Sequence, residues 1–220
     1  MFRNAYIILK KDIQLEFRTR YAINAIFLFA VTTLIVISFS IGGARLSSNL
    51  LASLLWVTLF FSAMSGLSHI FIREEEQQTA DTLRLLTNAS SILLGKWLFN
   101  VILIFSLEIV LIPLFLIFLN VSSTNYSIFL AVLALGSLGL SAVATIVAAI
   151  IARASSRGAL YAVLSFPLSI TILVSAINGT KLAFENRPFS DCFTELQILF
   201  SFFIVMITAS FLLFEFIWRD

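Results

Sequence analysis

Residues able to do chemistry are few in this chain, and each stands nearly alone. Gly95-Lys96 closes the stretch IREEEQQTADTLRLLTNASSILLGK (72–96), and a glycine–lysine pair is the tail of a phosphate-binding loop. Such a loop also needs a glycine five positions earlier and a serine or threonine just after the lysine. Ser90 and Trp97 occupy those positions. Without the glycine the backbone N–H groups do not wrap a phosphate, and without the hydroxyl a magnesium ligand is missing. The pair is therefore expected to hold no nucleotide. Lys96 is expected instead to anchor the inner end of an apolar run, with Trp97 at the lipid headgroups beside it. Trp56 and Trp218 fit the same anchoring role.

His69 is the single histidine and Cys192 the single cysteine. That excludes a multi-histidine metal centre, a CxxC site and an internal disulfide framework. His69 lies near the end of an apolar run, where a lone polar residue is more simply satisfied locally than used as a haem ligand. Glu108 lies near the middle of WLFNVILIFSLEIVLIPLFLIFLN. A charged carboxylate there costs about 3 kcal/mol, so it must be protonated, paired or facing a water-filled path. It is the intramembrane candidate for function, with Pro113 five residues on as a possible kink.

These residues have to be positioned by membrane helices. The 220-residue chain is 60% hydrophobic and 12% charged, with 23 Phe and a mean hydropathy of +1.04. Soluble domains carry roughly 25% charged residues. A net charge of +2 gives no electrostatic footprint for nucleic acid. The first apolar run follows about 20 mixed residues and has no small-residue cleavage site, so no cleaved signal peptide is expected. At about 20 apolar residues per crossing, six spans are expected, at about 22–42, 50–72, 96–120, 128–151, 159–178 and 196–218. The expected fold class is an all-α integral membrane protein, because in lipid only helices satisfy the backbone of such runs. Eleven of the fourteen Lys and Arg fall on one side: Arg3, Lys10, Lys11, Arg18, Arg20, Arg73, Arg84, Lys96, Arg153, Arg157 and Arg219. The other side has Arg45, Lys181 and Arg187. The positive-inside rule then puts both termini and the 72–96 segment in the cytoplasm.

Two cytoplasmic segments remain. Residues 1–20 read as an amphipathic interfacial helix: Phe2, Tyr6, Leu9, Ile13 and Phe17 form a stripe, off which Arg3, Lys10, Lys11 and Arg18 lie, while Ile7, Ile8 and Leu15 break the pattern. Residues 73–87 read as a short helix, with Glu74, Glu75 and Glu76 near its start, Arg84 near its end, and Leu83, Leu86, Thr79 and Ala80 on one face. A solvated loop that sets topology is the plain alternative, and a docking surface for a cytoplasmic partner the functional one. In the fourth span Ser137, Ser141, Thr145 and Ala149 recur every four residues and suit close helix packing.

The layout of six spans, an interfacial helix and an acidic helix after the second span is similar to the membrane subunit of an ABC exporter whose ATPase is a separate chain. More closely it resembles the haem exporter protein B family (CcmB) of cytochrome c maturation. The residues that carry the likeness are Phe71, Arg73-Glu74-Glu75-Glu76, Thr79-Ala80-Asp81-Thr82-Leu83-Arg84-Leu85 and Leu94-Gly95-Lys96. Lys10-Lys11-Asp12 with Glu16-Phe17-Arg18 belongs with them, as does Phe166-Pro167-Leu168 after Arg153-Ala154-Ser155-Ser156-Arg157-Gly158. A glycine common in the family's cytoplasmic helix is missing at Ala80 and Asp81, and a second proline is missing at Thr171.

The resemblance implies a non-catalytic permease subunit, a single transmembrane domain over 1–220. It would lie in a bacterial inner membrane and form a homodimer in the lipid. Its 73–87 coupling helix would dock on a CcmA-like ATPase that holds the ATP. Arg73, Glu74, Glu75, Glu76, Thr79, Asp81, Leu83, Arg84 and Leu86 would make that contact, the acids meeting basic residues and the leucines an apolar cleft. A CcmC-like haem-handling protein and a CcmE-like haem chaperone would be further partners. The cargo stays open between haem itself and release of the haem-loaded chaperone. The rivals are an ABC exporter subunit for lipid or drug, an ATP-independent carrier working through Glu108, and a structural scaffold.

Overall fold

A computed structural model describes residues 1–121, 124–152 and 157–219. The Arg153–Ser156 part of the basic run lies outside the described residues. Almost every described residue is helical and none forms a strand. The interfacial helix α1 covers Phe2–Thr19, and the membrane helices follow as α2 (Tyr21–Ile41), α3 (Ser48–Leu67) and, after a pair of short helices, α6 (Ala89–Phe118), α7 (Tyr126–Ile151), α8 (Arg157–Phe184) and α9 (Phe193–Arg219). The short helices are α4 (His69–Glu76) and α5 (Ala80–Leu86). Six stretches are long and apolar enough to cross a membrane, one of them α3 with α4 running through the single turn residue Ser68.

The chain therefore is an all-α membrane protein, with longer helices than their apolar runs suggest. α6 begins seven residues before the expected start of the third span, because Asn88 stops the chain in an extended conformation and ASSILLGK continues as helix. The fifth helix runs to Phe184 and not to 178. Gly179, Thr180 and Ala183 are buried there, so the expected outer loop shrinks to residues 185–188 and a 3-10 turn at Phe189–Cys192. Pro113 and Pro167 lie inside α6 and α8 without interrupting them.

α7 is the central helix and is buried along most of its length. Its small residues allow neighbours to close in. At Gly136 a Cβ atom would run into the ring of Trp56, so only glycine admits that indole. The stripe Ser137, Ser141 and Thr145 does more than make room. Trp97 Nε1–H donates to Ser141 at 3.0 Å, Asn100 donates to Thr145 at 2.9 Å, and Ser137 donates to Glu108. These polar rungs tie α6 to α7.

The tryptophans correct the anchoring expectation. Trp56 is fully buried, and its Nε1–H donates to Thr180 of α8 at 2.8 Å. Trp97 stacks on Phe203 of α9, and Trp218 is buried against Phe71 and Phe214. Trp56 and Trp97 give their indole N–H to side-chain acceptors, whereas that of Trp218 is buried without one among the described residues.

The contacts sort the bundle into two ends. Asn4 donates to Thr87, and the Arg84 guanidinium lies over the Trp218 ring, so α1, α5 and the end of α9 share one end. At the other, Asn125 bonds the carbonyls of Ala183 and Arg187. Both ends of the chain thus lie together, with α4 and α5, at the end richer in Lys and Arg.

Replacing Trp56 with Ala removes the Thr180 bond and empties a packed site beside Gly136. The expected loss is about 3–5 kcal/mol, read as a lowered thermal midpoint in mild detergent. An interfacial anchor at that position would lose far less.

Candidate functional site

One buried ammonium joins three distant parts of the chain. Lys96, on the second turn of α6, is 1% exposed. Its three N–H donors meet Asp12 of α1 at 3.3 Å, Glu74 of α4 at 2.6 Å and the carbonyl of Ile70 at 3.0 Å. The Phe71 ring lies 5.8 Å from the same nitrogen. Lys11 reaches over to Glu74 and, at 3.3 Å, to Asp12. Burial pulls the Lys11 ammonium toward a lower pKa, but Asp12 and Glu74 beside it hold it above its ordinary value. Glu74 also accepts from the Thr79 hydroxyl at 2.5 Å.

A second knot lies one turn along α1. Glu16 is buried, and its carboxylate accepts the N–H of Ile23 at 3.0 Å. That N–H is one of those left without a helical partner in the first turn of α2, so α1 caps the first span from outside it. Arg73 of α4 pairs with Glu16 at 3.7 Å and donates to Thr19 at 2.8 Å. Asp12, Glu16 and Glu74 balance Lys11, Arg73 and Lys96, so the cluster is neutral.

Burying these acids requires α1 to lie hard against α6. Gly95 makes that possible: a Cβ there would sit 2.8 Å from the carbonyl oxygen of Ala5 and 2.9 Å from Cβ of Ile8. The buried face of α1 is Ala5, Ile8, Asp12 and Glu16, whereas Phe2, Tyr6 and Phe17 of the expected stripe are exposed. Phe2, Tyr6 and Phe17 of the expected stripe thus face outward, Leu9 and Ile13 pack partly against the core, and Ile8, which broke the pattern, belongs to the inward face. The glycine–lysine pair thus serves as a close crossing and a charge staple. Lys96 is no headgroup anchor.

The expected 73–87 helix is two helices with a turn between them. α4 ends at Glu76, and Gln78 takes φ 55. The N–H of Thr79 bonds the carbonyl of Glu74 at 2.9 Å and that of Gln78 bonds Glu75 at 3.2 Å, the Schellman pattern with glutamine in the left-handed position. α5 then runs from Ala80 to Leu86.

This turn sorts the candidate residues. Arg73, Glu74 and Thr79 point inward to the cluster. Ala80 is buried and Leu83 is partly buried against the core. Arg84 joins α5 to Asp81 at 2.8 Å, to Glu75 at 3.7 Å and to the Trp218 ring at 4.9 Å. Glu76 and Asp81 are exposed. Leu85 is 88% exposed and Leu86 74%. Leu85, not among the sequence candidates, is therefore the most outward side chain of the pair; a helix beginning at 80 and not at 73 changes which leucines face out.

Asp12, Glu16 and Lys11 were also absent from the site candidates. A signal for them existed: a lysine inside an apolar helix requires an anion, and Asp12 and Glu16 stand four apart on the adjoining helix. Glu108 is elsewhere, bonded by Ser137 between α6 and α7, and it lines neither of the cavities at the two ends. His69 meets the Tyr21 ring edge-on at 4.7 Å. Among the described residues no three His, Cys, Asp or Glu side chains are grouped to hold a metal ion.

The family model described as CcmB protein matches residues 3–215, nearly the whole chain. No curated protein matches it.

Replacing Lys96 with Met leaves two buried carboxylates facing each other with the half-exposed Lys11 as the counter-ion they share. The expected loss is about 3–5 kcal/mol in thermal or denaturant unfolding in detergent. Adding Asp12→Asn and Glu74→Gln to Lys96→Met removes the stranded charges and should recover most of it.

Proposed function

The chain belongs to the CcmB family, and on that premise we propose that it couples ATP hydrolysis on a separate CcmA-like chain to work in the membrane. The family is that of an ABC transporter membrane subunit in haem export and cytochrome c maturation. Our reading assigns the docking to α5, with no catalysis in this chain. Both termini and α5 then face the cytoplasm of a bacterial inner membrane.

The observation that carries the reading is the construction of α5. Its outer face offers Leu85 and Leu86 side by side, while Arg84 and Ala80 fix it from behind to α4 and α9. Adjacent exposed leucines at the charged end of a membrane protein suit an apolar cleft in a partner. A helix of seven residues has too few turns to be stable alone, so its order comes from the packing behind it. A push on α5 therefore reaches α4 directly and, through Glu74 and Lys96, reaches α1 and α6.

In this arrangement Asp81, exposed beside Arg84, is the acid presented to basic groups of the ATPase, and Glu74 serves inside the chain. Two copies with two ATPases, a CcmC-like haem-handling protein and a CcmE-like chaperone complete the proposed assembly. Haem, or the haem-loaded chaperone, is the proposed cargo.

Co-purification with the CcmA-like ATPase from membranes in mild detergent tests it. Leu85→Asp with Leu86→Asp should weaken ATPase binding by at least about 2 kcal/mol, roughly 30-fold, while insertion and thermal midpoint stay as in wild type. Undiminished co-purification would remove α5 as the docking element.

A further inference from the structure

Two helix faces converge on a cavity of about 490 Å³ at the charged end of the bundle. Glu16 and Thr19 line it from α1, and His69, Arg73 and Glu76 line it from one face of α4 at spacings of four and three. Tyr21, the first residue of α2, stands at its side, and Ala22 and Phe99 give it an apolar wall. We propose that this cavity seats the headgroup of one phospholipid bearing a primary ammonium, with the ammonium on Glu76 and the phosphate on Arg73, His69 and Tyr21.

The depth of the cavity is the first reason. α1 presents Phe2, Tyr6 and Phe17 outward on one side and Arg3, Lys10 and Arg18 on the next, the build of a helix lying in the membrane interface. The chain turns from α1 into the first span at Arg20, which takes φ 55, and the cavity lies in that elbow. Its depth is thus that of lipid headgroups, and its volume falls within the range of roughly 300–1,000 Å³ usual for small-molecule sites.

The donor set is the second. A guanidinium carries five N–H donors. Arg73 commits one hydrogen bond to Thr19 and a looser pair at 3.7 Å to Glu16, so it keeps donors for a phosphate oxygen. His69 and Tyr21 line the cavity side by side, their ring centroids 4.7 Å apart. The apolar wall of Ala22 and Phe99 suits the glycerol and the first methylenes of the chains.

The acids select among headgroups. Lys96 and Asp12 also line the cavity but are engaged with each other, and Glu16 is buried beside Arg73, so a purely anionic headgroup would bring its charge against Glu76 with no second open cation to answer it. A choline ammonium has no N–H to give a carboxylate. A primary ammonium has three, and a charge-assisted bond to a carboxylate is about twice as strong as a neutral one. The assignment needs only the membrane setting and is independent of any ATPase.

The test is lipid retention by the chain delipidated in detergent and reconstituted into nanodiscs. The discs would carry phosphatidylethanolamine, its N-methyl and N,N-dimethyl forms, phosphatidylcholine or phosphatidylglycerol, and native mass spectrometry would count the lipid kept per chain. One phosphatidylethanolamine should be retained about tenfold more strongly than phosphatidylcholine or phosphatidylglycerol, the worth of one charge-assisted hydrogen bond. Retention should fall stepwise with methylation. Glu76→Gln should abolish the preference, and Glu76→Asp should keep part of it. Equal retention of all headgroups by wild type, or a preference that survives Glu76→Gln, would overturn the assignment. Displacement of the lipid by free phosphoethanolamine would also overturn it, in favour of a soluble ligand.

Discussion

A single buried charge sets the geometry of the cytoplasm-proposed end. An ammonium withdrawn from water is tolerable only where carboxylates and a carbonyl replace its hydration. Lys96 finds Asp12, Glu74 and the Ile70 carbonyl, which come from residues 84, 22 and 26 positions away. That requirement fixes the distance between α1, α4 and α6 far more tightly than apolar contact would, since hydrophobic burial has no direction. It also fixes the rotation of α1, because only one face of that helix carries both Asp12 and Glu16. Gly95 follows from the same demand: the carboxylate of Asp12 reaches Lys96 only if the two backbones cross closely.

The neighbouring elements depend on the cluster in turn. Glu74 is held by Lys96 and Lys11, and it holds Thr79. Thr79 is where the chain leaves the left-handed turn and begins α5. Arg84 then closes the far side of α5 against Glu75 and Trp218. The outward leucines therefore stand on a helix supported at both ends, from α4 and from α9. A neutral cluster of three acids and three bases accomplishes this without leaving a net charge at the membrane boundary.

Much of this architecture is legible in the sequence, and the parts that are not have identifiable causes. Six apolar runs give six spans because hydrocarbon enforces helices whatever the packing. The helix ends are harder. Thr180 and Ala183 read as loop because they follow Gly179, yet Trp56 and the packing of α8 keep them helical. The exposed stripe of α1 was visible as periodicity. The buried face was not, since it holds two carboxylates where an apolar pattern is sought. The break after Glu76 has no glycine or proline to announce it, because Gln78 takes the position a glycine usually fills. Reading 73–87 as one helix then turns Glu74 outward and misses Leu85. The three tryptophans point to the same limit: composition places an indole at an interface or in a core equally well, and only the ring and acceptor partners it meets decide.

The wide separation in sequence of the groups around Lys96 also has a temporal side. α1 leaves the ribosome first, but the charge that completes its buried face is 84 residues later. Lys11 is at hand from the start, but at about 5–20 residues per second Asp12 waits roughly 4 to 17 s for Lys96 to be synthesised. Until Lys96 is made for Asp12, and the start of α2 and Arg73 for Glu16, these carboxylates need water, headgroups or Lys11 as partners. The N-terminal helix is thus born early and seated late. Its docking waits until two spans and the start of a third have been made, so biogenesis of this end has a built-in order in which the first element made settles only after the two spans that follow it.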